Sequence, residues 1–150
     1  MALRFCESVS CNSDNTVCNI NISASITIYA AKDSGLTQNQ LNDAAATIKS
    51  SIEEAWKGTF VKDGVSYNVK TQVSISVAAS QADAMQSGAQ NAIGISSGDA
   101  MPGYANSYVE DRTPGRALTG EGPDTGTWNI QHLSLGDAAH EFTQLVGVRD

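Results

Sequence analysis

Ile20-Asn21-Ile22-Ser23-Ala24-Ser25-Ile26-Thr27-Ile28 puts an apolar residue at every second position and a small polar residue between. Side chains alternate faces along a strand, so this stretch predicts a β-strand with one buried face. The period then changes. Thr37 followed by Gln40 makes a capping box, and Leu36 with Leu41 makes a hydrophobic staple. Leu41, Ala45, Ile48, Ile52 and Ala55 step by fours and threes, which draws one apolar stripe along a helix. Gly58 is expected to close that helix as its C′ residue.

Further along, Asp63-Gly64 sits between Phe60-Val61 and Val65, the signal of a tight hairpin. Alternation resumes at Tyr67 and runs through Val69, Thr71, Val73, Ile75 and Val77, with Asn68, Lys70, Gln72, Ser74 and Ser76 on the other face. Ser80 to Gly88 suits a short helix, Asn91 to Ile95 a short strand. Ser97 to Gly126 is rich in Gly, Pro, Asp and Ser, with an edge strand expected near Arg116 to Thr119. Thr127 to Leu133 is strand-like, with Trp128 and Ile130 on one face. A last helix starts near Leu135 or Gly136, with Asp137 in its first turn and Ala138, Ala139, Phe142, Leu145 and Val146 as its apolar side. The expectation is an α+β fold: a twisted mixed sheet, a long helix, and a C-terminal helix. Residues 1–19 are polar and aperiodic and are expected to form an N-terminal arm, with the domain over residues 20–150.

A chain of 150 residues fits one domain with a core of its own. Its 16 acidic and 9 basic residues give a net charge of -7, which argues against nucleic acid or an anionic membrane as partner. No apolar run approaches the roughly 18–20 residues needed to span a bilayer. The start, Met1-Ala2-Leu3-Arg4-Phe5-Cys6-Glu7, has no apolar h-region of a secretory signal. A cytoplasmic chain, one delivered without such a signal, or a piece of a longer polypeptide would read this way. Cys6, Cys11 and Cys18 leave three arrangements open: one short-loop disulfide with a free thiol, three free thiols, or ligands to a metal.

The chemistry concentrates in His140-Glu141-Phe142-Thr143-Gln144-Leu145-Val146-Gly147-Val148-Arg149-Asp150. Residues four apart on a helix share a face, so His140 and Gln144 are placed to approach one ligand. Gly147 is placed to turn the chain so that Asp150 supplies a third donor. This string resembles the zinc-binding signature of zincin metallopeptidases, H-E-x-x-H-x-x-G-x-x-D, with Gln144 where the second His belongs. It is also similar to the peptidase domains at the C-terminal ends of Rhs-type polymorphic toxins. The resemblance implies a zincin-like N-terminal subdomain, with the motif helix under a sheet whose edge strand lines the substrate groove. By that resemblance the stretch around Arg116 to Trp128 supplies the edge, and Arg116, Leu118 and Trp128 line the groove.

Carried over residue by residue, the resemblance makes His140, Gln144 and Asp150 the metal ligands and Glu141 the general base. In an intact site the metal acidifies a bound water, and the Glu takes its proton and passes it to the leaving amine. A neutral amide is a poorer zinc donor than imidazole, so zinc is expected to bind weakly or not at all in this form. The family also implies a protein or peptide substrate, an immunity protein as partner, and delivery without a classical signal peptide. Natural loss and deliberate inactivation would both leave Gln144.

By the resemblance, the C-terminal subdomain and methionine turn of metzincins would follow Asp150, so residues 20–150 are expected to be a domain truncated at its C-terminus or one that closes its site another way; Met85 and Met101 precede the motif. The alternative is a pseudopeptidase that holds a peptide along the sheet edge without cutting it. In the blandest case the terminal match is chance. His132 is more simply a surface residue than a replacement ligand. Asp99, Glu110, Asp111, Glu121 and Asp124 show no EF-hand spacing and read as solvated loop charge rather than a calcium site. Trp56, Tyr67 and Trp128 read as core or groove residues.

Overall fold

The computed structural model describes residues 6–98, 108–109, 123–131, 133 and 137–145. Strand β2 (Val17–Ala30) is the spine of the molecule. Helix α1 (Gln38–Ala55) returns the chain, hairpin strands β3 (Gly58–Lys62) and β4 (Val65–Val77) follow, and β4 lies parallel to β2 along its length. Short helix α2 (Gln81–Met85) leads into β5 (Asn91–Ser96), which is parallel to the last part of β2. β7 (Asp124–Asn129) is parallel to β5, and β6 (Tyr108–Val109) is antiparallel to β7 at the edge. Helix α3 (Asp137–Leu145) closes the order. Among the described residues the seven strands run β3-β4-β2-β5-β7-β6, with β1 (Cys6–Cys11) added beside β2.

The alternation of β2 and β4 does what their sequences dictate. Ala24, Ile26, Ile28 and Val73 turn one face to α1 and α3, where Leu41, Ala44, Ile48, Ile52, Ala138 and Phe142 meet them in one cluster. The opposite face is polar along much of its length. Thr59, Asn68 and Asn19 form a hydrogen-bonded row across three strands there. Among the described residues α2 covers this face, packing Ala84 against Tyr29 and Ala92. Gly94 lies beneath: a Cβ at that position would come within 3.1 Å of the Tyr29 ring, which is why glycine occupies it.

Helix α1 starts as its sequence requires. Thr37 accepts from the Gln40 amide, and the Gln40 side chain accepts from the Thr37 amide in return. Thr37→Ala should therefore cost about 1 kcal/mol of stability, read from urea unfolding midpoints. Ala44 is the buried alanine of the stripe, and Ala45 is partly buried against the same cluster. The expected stop differs. Trp56 caps α1, and Gly58 opens β3 with φ of +152°, a backbone that favours glycine. Its role is to let the chain double back into the hairpin. Asp63 and Gly64 both take positive φ, as a two-residue hairpin turn demands.

The segment expected as an arm is more ordered than its composition suggests. β1 pairs antiparallel with β2 in register from Cys6↔Ser23 to Cys11↔Cys18. Cys11 and Cys18 are joined by a disulfide across the turn, which settles the first of the three cysteine alternatives for those two residues. Inside the loop the Asn12 side chain accepts from the amides of Thr16 and Val17. A short closed loop of this kind stabilises by about 2–3 kcal/mol. Because β1 lies outside the main cluster, reduction should act locally. Amide exchange along β1 is expected to accelerate about tenfold or more, while the α1 amides around Ile48 keep their protection.

β7 begins at Asp124, three residues earlier than expected. Pro123-Asp124-Thr125-Gly126 has no apolar alternation, and an interior strand flanked by β5 and β6 holds its register through backbone bonds instead. No helix among the described residues is long and apolar enough to cross a membrane.

Candidate functional site

Helix α3 carries the candidate site, and its sequence explains how it is mounted. Ala138 and Phe142 lie four residues apart and are fully buried. Phe142 meets the Trp56 ring edge-on, with centroids 5.8 Å apart and planes at 89°. Trp56 is held in turn, since Thr71 donates its hydroxyl to the Trp56 carbonyl at 2.6 Å and so ties the end of α1 to β4. The Thr143 hydroxyl donates back to the Ala139 carbonyl within the helix. α3 thereby contacts α1, β6 and β7.

His140 falls on the side of α3 away from Phe142 and is exposed. Residues 140 and 144 are one turn apart, so Gln144 occupies the same helical face. Glu141 lies within α3 as well. Gly147 and Asp150 lie outside the described residues, as do Arg116, Leu118, His132 and the edge strand expected near Arg116 to Thr119. The edge that is described, β6, comes earlier in the chain, at Tyr108–Val109. Trp128, in the interior strand β7, is fully buried and belongs to the core of the α1–α3 face, the first of the two roles open to it.

No family model matches this chain, and neither a curated protein nor a solved structure matches it.

The donor chemistry of α3 decides what it can hold. A catalytic zinc takes three protein donors, drawn from imidazole, carboxylate and thiolate. α3 supplies one imidazole, from His140, and a neutral amide one turn later. Among the described residues no three His, Cys, Asp or Glu side chains converge on a point. On α3 itself, the neutral amide at position 144 is a poorer zinc donor than an imidazole would be. A cleft of about 690 Å³ lies beside the helix, lined by Thr47, Ser50, Ser51, Glu54 and alanines including Ala139. Among its described lining residues Glu54 is the one carboxylate, and His140 is not among them.

Asp124 was expected among solvated loop charges and is instead fully buried at the start of β7, level with the fully buried Asn91 of β5. Asn91 donates to the Ser25 carbonyl, which ties this polar level to β2. An acid within a Gly-, Pro- and Asp-rich stretch gives no periodic signal of burial, so the sequence could not single it out.

Proposed function

We propose that this chain is a peptidase-type domain of the zincin class, of the kind bacteria deliver as toxins or effectors, in a form disabled at Gln144. The observation that carries this reading is the mounting of α3. Ala138 and Phe142 fix one side of the helix to the core, while His140 stands exposed on the other, with position 144 one turn on. The antiparallel edge strand β6 contacts the same helix, so an extended peptide added along β6 would lie beside it. Glu141 stands next to His140, where such peptidases place their general base, and Gly147 and Asp150 follow at the family's offsets. With a single imidazole on α3, the chain as it stands is expected to be inactive or impaired in peptide hydrolysis.

The test is proteolysis of an unfolded protein in the presence of zinc. The chain itself is expected to cut little or nothing. Gln144→His should cut, and adding Glu141→Ala to that variant should abolish cutting while leaving zinc bound, which separates the general base from the ligands. The edge strand supports a second reading, a pseudopeptidase that binds a protein or peptide without cutting it. A Gln144→His chain that binds zinc, holds peptide and never cuts would favour that reading.

A further inference from the structure

Strand β3 is the outer strand of the sheet on the side away from α3's edge, and all five of its residues are exposed. The register identifies which backbone groups face outward. Lys62 and Val65 flank the two-residue turn and form a hydrogen-bonded pair, as the geometry of such hairpins requires. Alternation along an antiparallel ladder then turns the amides and carbonyls of Gly58, Phe60 and Lys62 towards β4. Those of Thr59 and Val61 turn outward, where no described strand meets them.

The side chains along this edge are unusual for an exposed strand. Phe60 is 46 % and Val61 69 % exposed, and Phe60 stacks on Tyr67 with centroids 4.9 Å apart. Natural edges are blunted by charge, proline or bulges in the pairing segment. Here the charges sit at the ends: Lys57 before the strand, Lys62 as its last residue and Asp63 in the turn. The centre is apolar.

We infer that β3 is a self-association edge, pairing antiparallel with β3 of a second copy of this chain about a two-fold axis at Phe60. The register follows from the strand itself. With Phe60 opposite Phe60 of the second copy, Thr59 faces Val61 of the copy, and Val61 faces Thr59. These are the residues whose backbone groups point outward, so both become hydrogen-bonded pairs. The two Phe60 residues form the intervening non-hydrogen-bonded pair, where side chains stand closest. The same register sets Lys62 opposite Gly58, and brings Lys57, just before the strand, to the same end as Asp63 in the turn of the copy, twice over. Opposite charges thus meet twice and no like charges meet. Sliding the pairing by two residues keeps outward groups in register but brings Lys57 level with Val61 or Asp63 level with Thr59, which loses both charge pairs. Lys57 is paired with Glu54 at 2.7 Å within the chain, with both side chains exposed, so pairing with the copy's Asp63 would share or replace that contact. A five-residue strand gives a small contact, so the dimer is weak and forms at high concentration. This inference is independent of the role given to α3.

The test is sedimentation equilibrium of the full chain from about 10 µM to 1 mM, a range in which small interfaces of this kind associate. A reversible dimer is expected, weakening several-fold between low and high salt because the Lys57–Asp63 pairs are screened. Val61→Pro should abolish it. The Val61 amide points outward, so proline there removes no bond to β4, and edge strands tolerate it. An unchanged near-ultraviolet circular dichroism signal from Phe60 and Tyr67 would show the hairpin intact. Lys57→Glu, which brings like charges to the same end twice, should weaken association about tenfold. A chain that stays monomeric throughout the range, or a dimer indifferent to Val61→Pro with the hairpin intact, would overturn the inference.

Discussion

Phe142→Ala is expected to cost about 3–5 kcal/mol of unfolding free energy, the usual range for deleting a fully buried aromatic ring. The side chain has no exposed surface and sits in the cluster that joins α1, α3 and the sheet. Its ring also meets Trp56 edge-on, a contact worth about 0.5–1.5 kcal/mol beyond the buried area. Little can collapse into the space, because Trp56 is tethered to β4 through the Thr71 hydroxyl. α3 is nine residues long, below the length at which a helix holds itself in water, so its order depends on this packing. The variant should therefore lose helical signal and protection in residues 137–145 before the sheet melts. Urea unfolding, with hydrogen exchange read by segment, measures both. A loss below 1 kcal/mol would mean that α3 is not anchored through Phe142.

Gln144→His is expected to raise zinc affinity by at least a hundredfold, more than the roughly 10–100-fold that outer-shell partners contribute. The substitution replaces a neutral amide with the commonest nitrogen donor for zinc, at a position already one turn from His140 on one helical face. It should cost little stability, since histidine is an acceptable helix residue. Removing the metal with a chelator should return the variant to the thermal midpoint of the parent chain, because only the folded state holds the ion.

The fold was legible where one periodicity dominated. Ile20 to Ile28 and Tyr67 to Val77 alternate strictly and became the two long parallel strands. Thr37 and Gln40 placed the start of α1 to the residue, and Asp63-Gly64 placed the hairpin turn. β1 was hidden because Glu7-Ser8-Val9-Ser10 buries neither face: it is held by pairing with β2 and by the Cys11–Cys18 bond, not by an apolar stripe. The start of β7 was hidden for a related reason. Asp124-Thr125-Gly126 reads as loop, yet it is an interior strand whose acid is fully buried. In the candidate site the helix, the shared face of positions 140 and 144, and the buried Ala138 and Phe142 were all readable from spacing along α3. The position of the sheet edge was not, because β6 is two residues long and lies in a stretch without periodicity.

The most direct test is a calorimetric zinc titration of the metal-stripped chain beside its Gln144→His variant. One zinc per chain held tightly by the variant is expected, with weak or no binding by the parent. Tight binding by both would place the metal elsewhere and remove Gln144 as the disabling change. Binding by neither would mean that α3 is not a metal-binding helix, and the peptidase reading would fall with it.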